Sequence, residues 1–381
     1  MRYSDFNDSP AGRLVPTVYG QKAFVPNDLP PTYDMARITF DLAEAMAAIG
    51  ELRGACRLLS NPYILIRPLQ RLEAQTSSAM EGTYTTADEL VMVEKGIDKS
   101  PTADAREVTN YIRALAWAIE EMRTIPISVR LMKGAHKILL DDVNRERGRD
   151  KQPGEFARDQ NMIGGASIET ARFIPPPPRE TMECMAALEK FINRDDRNPA
   201  SALINIALVH YQFETIHPFA DGNGRLGRML ISLMAISEGL LESPVLYMSP
   251  ELEKHKDAYI DHMYNVSCRG TWEAYLQMFL RTATASCHRA TATIRRLLDL
   301  QRSYHARARD ISRSNNMNAV VDFLFESPLI QPKDIVQRLD ITDAAARNLL
   351  RQLTDAGILE EWKQFYPAVW VAGELLDLSR P

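Results

Sequence analysis

The chain has 381 residues, 45% of them hydrophobic and 25% charged, with 45 basic against 50 acidic residues and a formal charge of −5. That is ordinary globular composition, long enough for two or three domains, and it offers no general electrostatic case for nucleic acid. No stretch approaches the roughly 20 apolar residues of a membrane span, and residues 1–20 lack the apolar core of a signal peptide, so a cytoplasmic protein without membrane partners is expected. Cys56, Cys184, Cys268 and Cys287 form no CxxC pair and read as reduced thiols.

Residues 1–34, rich in Pro, Asn and Asp, predict an extended arm. Helical spacing of apolar residues then runs through 35–59, 61–80, 104–122 and 128–142, with Pro62 at a helix start and Pro68 near a bend. The pattern breaks at 143–178. There "FARDQNMIGGASIETARFI" predicts two short strands around Gly164-Gly165, and Pro175 to Pro178 predict a polyproline II exit. Helix returns at 179–195. The segment 200–216 is apolar on nearly all faces and predicts a central buried helix. Further helices are expected at 228–241, 250–267 and 271–300. The tail, 317–373, reads helix, link, helix, turn, helix and two β-like pieces, the order of a winged helix, with Thr342 or Asp343 capping the second helix of its helix-turn-helix.

The densest chemistry lies at 217–228, "HPFADGNGRLGR". Gly222, Asn223 and Gly224 can line up backbone N–H groups as an anion-binding nest, and the helix resuming near Arg225 adds its positive end. Arg225 and Arg228, three apart, share a helix face and supply two guanidinium forks suited to phosphate. His217 stands where the buried helix ends, and Pro218 biases its backbone toward an extended form. A near-neutral imidazole can take a proton from a hydroxyl, and Asp221 can hold the divalent cation that accompanies a polyphosphate. Each feature alone would be a turn, a cap or a solvated pair. Together they point to group transfer from a nucleotide triphosphate to a hydroxyl.

This stretch resembles the signature of the Fic family, H-P-F-x-D/E-G-N-G-R-x-x-R, at every specified position. The resemblance extends over roughly residues 30–300, including "REVTNYIRAL", "NMIGG…FIPPPP" and "SPVLYMSPELEKHKDAYIDHM". It implies a mainly α protein: a Fic-type helical bundle with a β-hairpin flap, followed here by the winged-helix tail. The domains expected are an arm (1–34), an N-terminal helical region (35–110), the catalytic core (111–287), a basic linker helix (288–316) and the winged helix (317–381). The activity implied is protein adenylylation, AMP passing from ATP to a Tyr, Ser or Thr hydroxyl with release of pyrophosphate.

By that resemblance His217 is the general base and Asp221 holds Mg²⁺. Gly222, Asn223, Gly224 and Arg225 cradle phosphates, with Leu226 and Gly227 counted in the nucleotide-binding run. Arg228 contacts the γ-phosphate, Phe219 anchors the loop, and Tyr259 and Asn265 line the nucleoside pocket. A second pattern, "SSAMEG" (77–82), fits the inhibitory S/T-x-x-x-E-G/N helix of one class, which pairs Glu81 with Arg228 beside Ser77. The flap residues Ile163 and Gly164 are expected to dock the target, self-modification is implied, and a homodimer accords with the family. Removal of AMP or transfer of another phosphate-linked group at the same site, or a nucleotide-sensing winged-helix regulator, are the alternatives. The tail carries six Lys/Arg against ten Asp/Glu, while 288–313 carries seven Arg and two Asp. On balance a protein partner is expected there ahead of DNA.

Overall fold

The computed structural model describes residues 1–58, 66–98, 100–143, 152–196, 198–312, 314–363, 365 and 367–378. Pro62 and the start of the expected 61–80 helix lie outside them. The first 34 residues are not a loose arm. A 3-10 turn (Tyr3–Phe6) leads to an antiparallel pair, β1 (Gly12–Pro16) and β2 (Lys22–Pro26), with Leu14 opposite Phe24. Gly20, at φ 84°, makes the tight reversal between them. Phe6 and Phe24 are buried and pack with Phe173 and Tyr264, centroids 5.4–6.0 Å apart, so aromatic burial pins this segment down.

Helices then follow in close succession. They are α1 (Met35–Arg57), α2 (Arg67–Ala79), α3 (Ala87–Glu94), α4 (Ala103–Glu121) and α5 (Val129–Leu139). After the 152–177 loop come α6 (Pro178–Ile192), α7 (Ala202–Ile216), α8 (Asn223–Ser237), α9 (Ser249–Lys254) and α10 (Lys256–Arg269). Pro68 sits at the start of α2, where its missing N–H costs nothing, rather than at a bend. Nearly every residue of α7 is buried, as its all-round apolarity predicts, and it packs against α6, α8, α10 and α11. His255 splits the expected 250–267 helix into α9 and α10.

The expected helix at 271–300 and the basic linker are one element. Helix α11 runs 40 residues, Trp272–Ile311, and packs along α1. Its basic strip is largely answered by carboxylates: Arg289 with Glu251, Arg295 with Glu51 at 2.7 Å, Arg302 with Asp299 at 3.2 Å and Arg307 with Glu374 at 2.6 Å.

The tail comprises α12 (Asn315–Glu326), β3 (Leu329–Ile330), α13 (Pro332–Leu339), α14 (Asp343–Asp355), β4 (Glu360–Trp362), β5 (Val369–Val371) and α15 (Gly373–Asp377). Thr342 caps α14 by accepting the Ala345 N–H. The three strands form one antiparallel sheet in the order β3-β5-β4. The cysteines are free thiols.

Candidate active site

The end of α7 and the start of α8 meet at residues 217–223. His217 closes α7 in the left-handed region, φ 48° and ψ 58°, while its N–H still donates to the Phe213 carbonyl at 2.9 Å. The extended conformation expected before Pro218 is therefore not adopted. Side-chain clamps hold the turn instead. The Asn161 amide donates to the His217 and Phe219 carbonyls at 2.7 and 2.8 Å. Asn223, fully buried, accepts the Phe219 N–H and donates to the Phe219 carbonyl. Asn223 is thus a staple of the loop by its side chain, leaving only its backbone for a ligand.

Nothing in the sequence signals His136, a lone histidine on the buried face of an amphipathic helix. It stacks on Phe219 with centroids 3.8 Å apart, and its Nδ1 accepts the Gly154 N–H. Its Nε2 must then carry the proton, which it donates to the Asp221 carbonyl at 2.9 Å. Burial lowers its pKa to about 4, so this neutral form persists at ordinary pH.

Gly222 caps α8 at φ 78°, and the first intrahelical bond runs from the Leu226 N–H to the Gly222 carbonyl. The amides of residues 223–225 are the orphans of that helix start and face the same side, an anion cradle made of backbone. Asp221 is partly exposed, and its Oδ1 accepts the Gly222 N–H.

The two arginines part company. Arg225 is buried, bonded to Glu107 of α4 at 2.8 Å and lying 3.5 Å from Asp221. It offers no free fork to phosphate, because α4 presents a carboxylate on that side. Leu226 is core, and Gly227 lies where a Cβ would strike the Glu214 carboxyl and the Phe213 ring. Neither belongs to the ligand-facing surface; both let α7 and α8 pack closely.

Arg228 faces a pocket of about 220 Å³ shared with Glu81, His217, Gly224, Glu214 and Tyr259. Its Nε donates to the Ser77 hydroxyl at 2.9 Å, and its Nη2 donates to the Ser77 carbonyl and to Glu81 Oε1, both at 2.8 Å. Helix α2 ends at Ala79, Gly82 takes φ 81°, and the Thr83 N–H returns to the Ser78 carbonyl. That left-handed closure aims Glu81 at α8. Gly224 makes room for it: a Cβ there would lie 2.1 Å from Glu81 Oε1. Burial disfavours the Glu81 charge, yet Arg228, Arg225 and His217 outweigh it and hold its pKa below the usual range.

His217 Nδ1 is buried without a hydrogen bond. Burial pushes the imidazole pKa down to about 4, against the upward pull of Glu81 and Asp221. It is therefore a neutral base at physiological pH.

The expected flap hairpin reduces to a single bridge, Ile163 with Phe173, extended by the Arg172 N–H donating to the Gly164 carbonyl at 2.7 Å. Gly164, at φ 66°, turns the chain. Ile163 lines the pocket and Gly164 does not. Tyr259 lines it too, but its hydroxyl is taken by His210 at 2.8 Å, and Asn265 stays outside the lining.

A helix start with open amides, a neutral imidazole at its lip and one arginine in the pocket make this a helical protein whose pocket is built at a helix N-terminus, chemically suited to an anion. Residues 40–120 match the Fic/DOC family N-terminal profile, and residues 126–235 match the Fic/DOC family profile. The chain belongs to the Fic/DOC family. It is 29% identical over 215 residues to the protein adenylyltransferase Fic of Drosophila melanogaster and of Drosophila simulans, covering 56% of this chain and 40% of each relative. It therefore spans about 40% of the length of those curated relatives. Its fold matches a Fic family protein from Desulfovibrio desulfuricans at TM-score 0.57 and 19% identity, covering 90% of this chain and 98% of that one. A Fic domain containing signaling protein from Bacteroides thetaiotaomicron matches at TM-score 0.50 and 17% identity, covering 68% and 96%. Among the described residues, no helix is long and apolar enough to cross a membrane, and no cluster of three His, Cys, Asp or Glu could hold a metal ion.

Proposed function

We propose that the protein is an autoinhibited protein adenylyltransferase, moving AMP from ATP to hydroxyls of a target protein and of itself. The observation that carries this reading is the Glu81–Arg228 pair at 2.8 Å, set beside the open amides of α8 and seated in the gap left by Gly224. An arginine clamped by a carboxylate is not free for phosphate, and that carboxylate repels phosphate charge. The curated relatives' name supports the transfer chemistry.

In this reading the α8 amides hold the phosphates and His217 accepts the hydroxyl proton as the oxygen attacks the α-phosphorus and the bond to the bridging oxygen breaks, releasing pyrophosphate. Asp221 fits Mg²⁺, which takes one or two carboxylates plus phosphate oxygens, and the ion would offset charge between the phosphates. Arg228, once released by Glu81, binds the terminal phosphate. The 152–173 loop, wired to the motif through Asn161, offers its Ile163 edge to the target. The tail fits a winged-helix protein-interaction module in a cytoplasmic protein. Its own acidity and the paired arginines of α11 leave little free positive charge for DNA.

The test is labelling with ATP bearing a labelled α-phosphate. Glu81→Gly should raise labelling of the protein itself at least ten-fold, and adding His217→Ala should abolish it. Labelling unchanged by Glu81→Gly overturns the inhibitory reading. Release of AMP from a pre-modified target by the unaltered protein would instead favour the reverse reaction.

A further inference from the structure

Glu214 stands on α7 three residues before His217 and has no part in the chemistry above. It lines the pocket that holds Glu81 and Arg228. Its Oε1 is buried with no hydrogen bond and rests against α8 at Gly227, next to Arg228 in sequence; a Cβ there would lie 2.1 Å away. The charged and titratable groups around it are Arg228 of α8, Glu81 beyond α2, Tyr259 of α10 and Tyr275 of α11, with His217 acting on Glu81. Two carboxylates therefore contend for one guanidinium, and only Glu81 is hydrogen-bonded to it.

Building on the adenylyltransferase reading, we propose that Glu214 is a second carboxylate that contends with a nucleotide's terminal phosphate for Arg228, its ionisation opposed while Glu81 is in place. Burial, with the Glu81 charge behind it, raises the Glu214 pKa to about 7 although Arg228 draws it down. Once Glu81 withdraws, its opposing charge is gone and Arg228 loses its partner, and both changes favour ionised Glu214. Phosphates entering beside that carboxylate restore the neutral acid. Nucleotide binding then takes up a proton, and by linkage affinity for a triphosphate falls as pH rises through the Glu214 titration. A monophosphate, which does not reach Arg228, is spared.

Calorimetric titration of Mg·ATP and of AMP into the Glu81→Gly and Glu81→Gly/Glu214→Gln proteins, between pH 5.5 and 8, tests this. Glutamine matches the neutral acid in shape, and Glu214→Met serves as a second neutral replacement if the first melts early. At pH 8 the double variant should bind ATP about ten-fold tighter than Glu81→Gly, with the gap closing toward pH 5.5 and AMP affinity equal in both. With Glu81 present, Glu214→Gln should leave ATP affinity unchanged at pH 5.5, where Glu214 is already protonated. Equal or weaker ATP binding by the double variant at pH 8 overturns the proposal, and so does an equal shift for AMP, which would mark a general reshaping of the pocket. ATP bound equally by both variants leaves the adenylyltransferase reading standing. ATP bound by neither at any pH removes both.

Discussion

His217 can act as a base only in its neutral form, and its surroundings decide when that form exists. Burial holds its pKa near 4, well under the ordinary histidine value, while Glu81 and Asp221 pull upward. Removing Glu81 takes away one upward pull, so the pKa in Glu81→Gly is no higher. The group is neutral above its pKa and loses base function as pH falls through it. In Glu81→Gly at saturating ATP, the single-turnover transfer rate should therefore stay level from pH 8 down to about 5. An acid limb centred near 6.5 would place His217 in a solvated setting that contradicts this pocket. At this scale the sequence is legible where the backbone is concerned: glycine at 222 suits a left-handed turn, and Gly222 does take the positive φ, while Gly224 leaves the space that Glu81 occupies. The sequence misleads where a side chain has a distant partner. Arg225 looks like Arg228 in sequence, and only the approach of Glu107, 118 residues earlier, sends it inward.

Among the elements, that same ion pair ties α4 to the first turn of α8. Both side chains are nearly inaccessible, at 1% and 2% exposed, and Glu107 also accepts the Thr83 hydroxyl at 3.2 Å. One carboxylate thus ties the start of α8 to Thr83, two residues after Glu81. Glu107→Ala would leave a buried guanidinium whose remaining ion pair among the described residues is Asp221 at 3.5 Å, and breaking a buried pair in this way costs about 3–5 kcal/mol. Glu107→Gln keeps an acceptor for Arg225 and for Thr83 and should cost less than half as much. Urea midpoints at constant m report the difference; similar midpoints for Ala and Gln would show that the charge contributes nothing. Element positions were largely readable from apolar periodicity, which located α1, α4, α5, α6 and α7. The failures share a cause. The β1–β2 pair is bounded by Pro16 and Pro26 and gains its order from distant aromatic rings, which no local pattern reports. Nothing in the composition of α11 marks where core helix gives way to basic helix, because there is no break.

For the molecule as a whole, the tail is not an appendage on a string. Val91 of α3, fully buried, packs with Leu329, Val369, Val371 and Leu376 of the tail, and Lys95 pairs with Asp334 at 3.4 Å. Helix α3 begins at the Thr86–Glu89 capping box, five residues after Glu81. The tail's sheet therefore rests on the helix that immediately follows the turn carrying Glu81. Val91→Asp places a carboxylate in that apolar seam with Lys95 already engaged, at a cost of roughly 2–4 kcal/mol from lost burial and an uncompensated charge. The effect should be local. Among the described residues, no hydrogen bond or ion pair joins Ser77, Glu81 or Arg228 to the tail, so the tail should undock while the helical bundle stays folded. Calorimetry should then show a separate early transition, and limited proteolysis should cut first between α11 and α12. Labelling by Glu81→Gly/Val91→Asp should stay within about two-fold of Glu81→Gly alone. Loss of labelling together with a single, lowered transition would mean instead that tail and bundle fold as one unit.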